Sequence, residues 1–255
     1  MKSFVLASGS KGNCYYAELS GFNMLIDFGL TYERTKNILK NKNIDINEID
    51  AVFITHEHID HCLGLDMFLK KNICDVYMTL GTYEALKDNL GETAKIVIIK
   101  PDIEFVVNES ISILPLLKSH DAKEPVNFVI SNGKDKIGVF TDMGFVSDET
   151  KKMLCDIDIL FIEANYDYNM LMESGLGFNY INRVLSNIGH LSVFDVAKII
   201  PCFARDGQKI ILSHVSENSN TYVNAYSLIR SEIDKINVQC KLLVSYQDEE
   251  SDWIE

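Results

Sequence analysis

The sequence predicts an α/β fold built as one domain over residues 1–255. Short runs rich in β-branched and aromatic residues alternate with helical stretches from end to end. No Pro/Ser-rich linker, low-complexity tract or recognisable repeat interrupts them. A hydrophobic content of 47% in 255 residues is enough to bury a sizeable core.

The elements follow in order from the pattern. Residues 4–7, 14–19 and 22–26 read as strands separated by glycine turns, and 31–42 turn helical. The apolar run Ile49 to Ile54 carries a strand at 51–55, and a helix is expected from 61 to about 71. Strands are then expected at 75–78, 95–99, 104–107, 110–117 and 126–131, with Asn132-Gly133 as a hairpin turn signal before a strand at 136–141. Later strands fall at 157–162, 209–212 and 239–244, and helices near 148–154, 180–187, 193–202 and 222–236. The acidic end, Gln247 to Glu255, reads as a solvated, poorly ordered tail.

A net charge of -13 argues against a binder drawn to polyanions by basic surface. Bound metal ions would add positive charge that the formal count omits. The six cysteines form no Cys-x-x-Cys pair, and the start Met-Lys-Ser-Phe-Val-Leu-Ala-Ser lacks a full apolar signal core, so reduced thiols in a cytoplasmic protein are expected. No apolar stretch approaches the roughly 18 residues of a membrane span, so no membrane partner is expected.

The six histidines occupy four short segments, and His56, His58 and His61 stand together in Thr-His-Glu-His-Ile-Asp-His directly behind a strand. Neutral nitrogen and anionic oxygen at that density suit a borderline-soft divalent cation. The other candidate ligands recur in the same context: strand 110–117 leads to His120, 136–141 to Asp142, and 209–212 to His214. Strands of one layered fold that all end in a ligand can converge on one edge, where sites in α/β folds are usually found. Cys62 reads as a small packed residue beside the cluster, Glu57 as a carboxylate facing away from it, and Asp27 as an anchor for hydrogen bonds behind the ligands.

The pattern His56-x-His58-x-Asp60-His61, then His120, Asp142 and His214 over nearly the whole chain, resembles the metallo-β-lactamase fold in its dinuclear hydrolase form. The resemblance implies a four-layer αββα sandwich, two packed mixed β-sheets with helices on the outer faces. It implies two divalent ions, zinc or manganese with iron also allowed: the first on His56, His58 and His120, the second on Asp60, His61 and His214, with Asp142 bridging and Asp60 also catalytic. A shared hydroxide between two ions is a nucleophile that needs no protein side chain. The diiron redox branch usually has a glutamate in the place of His58, so redox work is not expected.

Finer motifs narrow the group: Ser8-Gly-Ser-Lys-Gly-Asn13, Ser119-His-Asp-Ala122, Thr141-Asp-Met-Gly144, Glu163-Ala-Asn-Tyr-Asp167, Gly189-His-Leu-Ser192 and Leu212-Ser-His-Val-Ser-Glu-Asn-Ser-Asn220. Together they resemble the YycJ/WalJ-type subgroup of exonuclease-like phosphodiesterases. Ser192 with Asp195 three residues on resembles a helix N-cap whose free N–H groups suit a phosphate, and His190 beside it could stabilise the transition state or protonate the departing oxygen. Arg183 lies where the subgroup is basic and could hold a phosphate, a surface ion pair being the other reading. Ser10 and Asn13 belong to a turn that either lines a substrate groove or is only a glycine hairpin. Asn165 follows a strand end, and its amide could touch the site or only cap Tyr166-Asp167, the cap being the favoured reading. Val193 departs from the asparagine that the subgroup generally shows after Gly-His-Leu-Ser.

These readings lead to a dinuclear phosphodiesterase acting on nucleic acid, with DNA favoured and an end of the strand as the point of attack. The alternatives are a hydrolase of a small cyclic or nucleotide phosphodiester, and a non-catalytic metal-binding regulator. The charge of -13 favours the small substrate, because long polyanions gain affinity from Lys/Arg contacts and counterion release; the motif set favours the nuclease. Oligomeric state is not readable.

Overall fold

Strands β1 (Lys2–Ala7), β2 (Cys14–Leu19) and β3 (Phe22–Ile26) form an antiparallel ribbon that continues, after helix α1 (Tyr32–Asn41), into parallel β4 (Ala51–Phe53). The computed structural model describes residues 1–71, 73–90 and 95–255, which divide into two compact units. The first comprises Met1–Leu117, Ala122–Asp135 and Gln247–Glu255; the second comprises Lys118–Asp121 and Lys136–Tyr246.

In the first unit, α2 (Ile59–Cys62) and α3 (Leu65–Lys71) follow β4, then β5 (Asp75–Thr79), α4 (Leu80–Leu90) and β6 (Ile96–Ile99). Sheet order is β1-β2-β3-β4-β5-β6, antiparallel at the start and parallel from β3 onward. The period-2 geometry of a strand divides its side chains between two faces. Val52 and Ile54 join a buried cluster with Leu39 of α1, Phe68 of α3 and Leu86 of α4, whereas Phe53 turns the other way and meets Phe128 at 5.5 Å between ring centroids. Phe128 belongs to β9 (Val126–Ser131), which pairs antiparallel with β8 (Ile111–Leu117), itself paired with β7 (Phe105–Asn108). A second contact, Tyr77 against Phe105 at 5.6 Å, completes the face-to-face packing of the mixed sheet on this ribbon.

The helix expected over 61–71 is two helices, α2 and α3. At Gly64 between them the backbone N–H donates to Phe28 O, and an added Cβ would lie 2.2 Å from Leu30 O, so the chain bends where it is pressed against its neighbour. Helix α4 had no reading in the sequence. Its first turn is capped from afar: Glu124 Oε2 accepts from Gly81 N, 43 residues away.

The acidic end is not a disordered tail. Ser3 and Ile254 exchange both backbone hydrogen bonds, Ser251 N donates to Val5 O, and Ile254 is 1% exposed. Trp253 stands edge-on to Phe4 and Tyr16 at 5.0 and 5.8 Å, with the Lys2 ammonium 4.8 Å from its ring centroid. The open edge of β1 and two apolar anchors outweigh the local charge. Ile254→Ala is therefore expected to lower unfolding free energy by about 2–3 kcal/mol, read from the denaturant midpoint; a change within experimental error would contradict this packing.

In the second unit, β10 (Lys136–Phe140), β11 (Ile159–Glu163), β12 (Lys209–Ser213) and β13 (Lys241–Val244) are parallel neighbours in that order. Crossovers carry α5 (Asp148–Leu154), α6 (Tyr168–Glu173), α7 (Phe178–Leu185), α8 (Val193–Ile199) and α9 (Tyr222–Ile236). Ile159 to Ile162 and Ile210 to Leu212 are buried throughout, as expected of parallel strands covered on both faces. Helix α6 had no reading in the sequence either; Asp167 caps it by accepting from Asn169 N and Met170 N. No helix among the described residues is long and apolar enough to cross a membrane.

Candidate metal centre

The first unit delivers the histidine cluster from the end of β4. Asp27, just past β3, organises it with one carboxylate. Its Oδ1 accepts from Thr55 N at 2.8 Å, and its Oδ2 accepts from Thr55 Oγ1 at 3.0 Å and from His61 Nδ1 at 2.7 Å. This places the His61 proton on Nδ1 and leaves Nε2 with a lone pair, 3.4 Å from Asp60 Oδ2. Thr55 Oγ1, having given its hydrogen to Asp27, accepts from His56 Nδ1 at 2.9 Å, so His56 also offers Nε2, which lies 3.1 Å from His58 Nδ1. Gly29 allows this packing: a Cβ there would sit 1.7 Å from Asp60 O.

The second unit gathers Asp142, Glu163, His190 and His214, whose donor atoms lie within 4.8 Å of one another, all buried. Asp142 lies two residues past β10 and His214 directly follows β12, each in the left-handed backbone region at φ 56 and 53, as is Asp27 at φ 62. Non-glycine residues pay for that conformation, and such strain gathers at functional sites. Asp142 Oδ1 lies 3.4 Å from His214 Nε2 and 4.0 Å from His120 Nε2. His120 Nδ1 donates to Gly189 O at 3.1 Å, which directs its Nε2 lone pair inward.

Nitrogen and carboxylate donors without thiolate suit zinc or manganese. Two ligands at about 2.0–2.2 Å on one tetrahedral ion stand about 3.4 Å apart, and the spacings of 3.1 Å for His56 to His58, 3.4 Å for Asp60 to His61 and 3.4 Å for Asp142 to His214 match. The residues present fit a divalent ion.

Glu163, at the end of β11, is a candidate functional residue to which the sequence alone assigns no role. Its Oε1 accepts from His190 Nδ1 at 2.6 Å and lies 3.5 Å from His214 Nδ1, while Oε2 accepts from Met143 N and Leu191 N. Burial works to raise its pKa, but the His190 charge and hydrogen bonds from His190 and His214 outweigh it and hold the carboxyl down at about 2. The signal that marks Asp142 and His214, a polar residue closing an apolar strand, also marks Glu163.

His120 is pushed down to about 3, by burial first and by Lys118 and His190 against the pull of Asp142. It is neutral at pH 7, as a ligand must be. Between about pH 6.5 and 3 the folded chain binds fewer protons here than the unfolded chain, so stability falls as pH drops through that window. With metal stripped, the denaturant midpoint is expected to decline from pH 7.5 to 5, less steeply in His120→Asn; equal slopes would contradict the shift.

Other expectations meet mixed placements. Cys62 donates to the carbonyls of Glu57 and His58, and burial foremost pushes its thiol up to about 12, so it is a packed thiol. Glu57 Oε1 accepts from Lys123 N, bracing a loop. Asn165 is not a cap for Tyr166-Asp167: its Nδ2 donates to His214 O at 2.9 Å and lies 2.9 Å from His214 Nδ1, so it steadies a candidate ligand. Of the two readings open for Arg183, the ion pair is the one observed: it clamps Asp121 through Nε and Nη2, the latter at 2.8 Å. Ser192 does cap α8, in a box with Asp195 that occupies its hydroxyl. Ser10 is exposed at its turn, whereas Asn13 is fully buried and bonded to Asp60. His190 is buried on Glu163, its ring stacked on His214 with centroids 5.3 Å apart.

Comparison with known proteins identifies the family. Residues 23–214 match the family described as beta-lactamase superfamily domain. The chain is 31% identical over 224 residues to exodeoxyribonuclease YycJ of Bacillus anthracis, covering 85% of this chain and 83% of that protein. It is 32% identical over 225 residues to exodeoxyribonuclease WalJ of Streptococcus pneumoniae, covering 86% and 83%. Among solved structures, the metallo-beta-lactamase fold protein YhfI from Bacillus subtilis superposes with a TM-score of 0.73 at 15% identity, over 98% of this chain and 99% of that one. By this family match and these relatives, the chain belongs to the beta-lactamase superfamily, as a metal-dependent hydrolase of the metallo-β-lactamase fold.

Proposed function

We propose that the protein is a dinuclear phosphodiesterase that degrades DNA as an exonuclease. In this reading His56, His58 and His120 hold one divalent ion, Asp60, His61 and His214 the other, and Asp142 serves both. Bound ions supply an activated water and neutralise charge on the phosphoryl group.

The observation that carries the reading is His190 seated on the buried Glu163 carboxylate, its Nδ1 3.7 Å from Asp142 Oδ1. Glu163 fixes the ring by accepting from Nδ1–H, and its negative charge steadies the doubly protonated ring, so Nε2–H is the group presented to substrate. An imidazolium held there gives its Nε2 proton to the alkoxide that leaves when a phosphodiester breaks, and the ring is left neutral with the proton on Nδ1. Asp27 and Asn165 hold the ligand imidazoles in register, and Ser10 offers a hydroxyl at an exposed turn. The names of the YycJ and WalJ relatives support DNA as the substrate. A net charge of -13 favours a second reading, a small cyclic or nucleotide phosphodiester.

Turnover of end-labelled duplex DNA beside bis-p-nitrophenyl phosphate separates them. Stepwise loss of the DNA label is expected. Cleavage of the small ester with intact DNA selects the second reading, and stoichiometric metal with neither activity selects a binding role.

A further inference from the structure

Asn13 and Gln247 are far apart in sequence, yet both act on the turn beside Asp60. Gln247 is 3% exposed, its Oε1 accepts from Lys11 N at 2.9 Å, and an added Cβ on Gly9 would lie 2.5 Å from that same oxygen. Gly9 in turn grips the Asn13 amide from both ends: Gly9 N donates to Oδ1 at 2.9 Å, and Nδ2 donates to Gly9 O at 3.0 Å. The amide therefore cannot flip without setting oxygen against oxygen and N–H against N–H. Its second N–H is left to face Asp60 Oδ2 at 3.2 Å and His61 Nε2 at 3.1 Å. The backbone adds a parallel link, with Asn13 N donating to Asp60 O at 2.7 Å and Gly29 N donating to Asn13 O at 2.9 Å.

We propose that Asn13 is a positioning residue for the ion held by Asp60 and His61, and that the C-terminal segment, through Gln247, locks it in place. Asn13 takes this role and not that of a substrate contact, because it is fully buried and every bond of its amide is spent inside the protein. The segment beyond Gln247 is held well enough to act as a strap: Arg34 Nη2 donates to Asp248 O at 3.2 Å, Val5 N donates to Ser251 Oγ at 2.9 Å, and Ile254 closes the β1 edge. The inference rests on the metal-hydrolase reading, and it makes ion retention depend on residues that touch no substrate.

The test is metal retention by the full-length chain. Cobalt(II) or manganese(II) alone is titrated against a competing chelator, with the cobalt absorption spectrum as a second readout and the melting temperature of metal-stripped protein as a control for folding. Asn13→Ala is expected to weaken one of two ions by about tenfold or more, the usual range for groups that orient ligands. Gln247→Ala weakens the same ion in the same direction by less, and Lys11→Ala, which keeps the backbone N–H, changes neither. Wild-type retention in both Asn13→Ala and Gln247→Ala overturns the proposal. If Asn13→Ala does not fold, Gln247→Ala decides alone: a weakened ion supports the strap and unchanged binding overturns it. Wild-type protein that binds ions but spares DNA removes the nuclease reading and leaves this inference standing, whereas wild-type protein that binds no ion removes both.

Discussion

Asp142→Asn is expected to reduce hydrolysis of DNA and of the small ester alike by about three orders of magnitude, well beyond the roughly 10–100-fold typical of groups behind the ligands. Asparagine is the informative substitution. Asp142 sits at φ 56, where asparagine is tolerated and alanine is strained, so the backbone survives while the carboxylate charge is lost. The oxygen that stands 3.4 Å from His214 Nε2 and 4.0 Å from His120 Nε2 then becomes a neutral amide atom, which could not serve the two cations of the proposed centre. Ion content should fall with activity while far-UV circular dichroism is unchanged, and His58→Ala and Asp60→Ala should behave alike. Full turnover by Asp142→Asn with both ions bound would remove Asp142 from the centre.

His190→Ala is expected to lower kcat on DNA by about 10²–10⁴-fold, the range for a positioned proton donor, with metal content unchanged. The effect should depend on the leaving group. p-Nitrophenolate departs with little need of a proton, so bis-p-nitrophenyl phosphate should lose far less than DNA, whose leaving alkoxide must be protonated. Glu163→Gln should show the same dependence more weakly, because the amide still meets the ring but no longer offers the carboxylate that holds it at 2.6 Å. If His190→Ala instead strips metal, or impairs both substrates equally, His190 is a ligand or a packing residue and the proton-donor role fails.

Both predictions draw on residues that differ in how readily the chain reveals them. His56, His58, Asp60 and His61 are legible because six consecutive positions hold them, and a short loop can only place them together. Asp142 and His214 are legible at one remove, through apolar strands that lead to them. Asn13 and Asn165 stand in recognisable motifs and Arg183 at a position that is basic in the subgroup, but none of these signals says what the side chain touches. Asn13 meets a carboxylate 47 residues away, Arg183 meets Asp121 62 residues away, and Asn165 meets His214 49 residues away.

By itself the sequence determined the alternation of strands and helices, most of their positions and the set of groups able to bind a cation, since these depend on periodicity and local spacing. The tertiary structure alone decided that Glu163 carries His190, that Glu124 caps α4 and that an acidic terminus is anchored through buried Gln247 and Ile254. Those outcomes depend on which distant surfaces meet, and burial there sets both the strength of a hydrogen bond and the charge a carboxylate keeps.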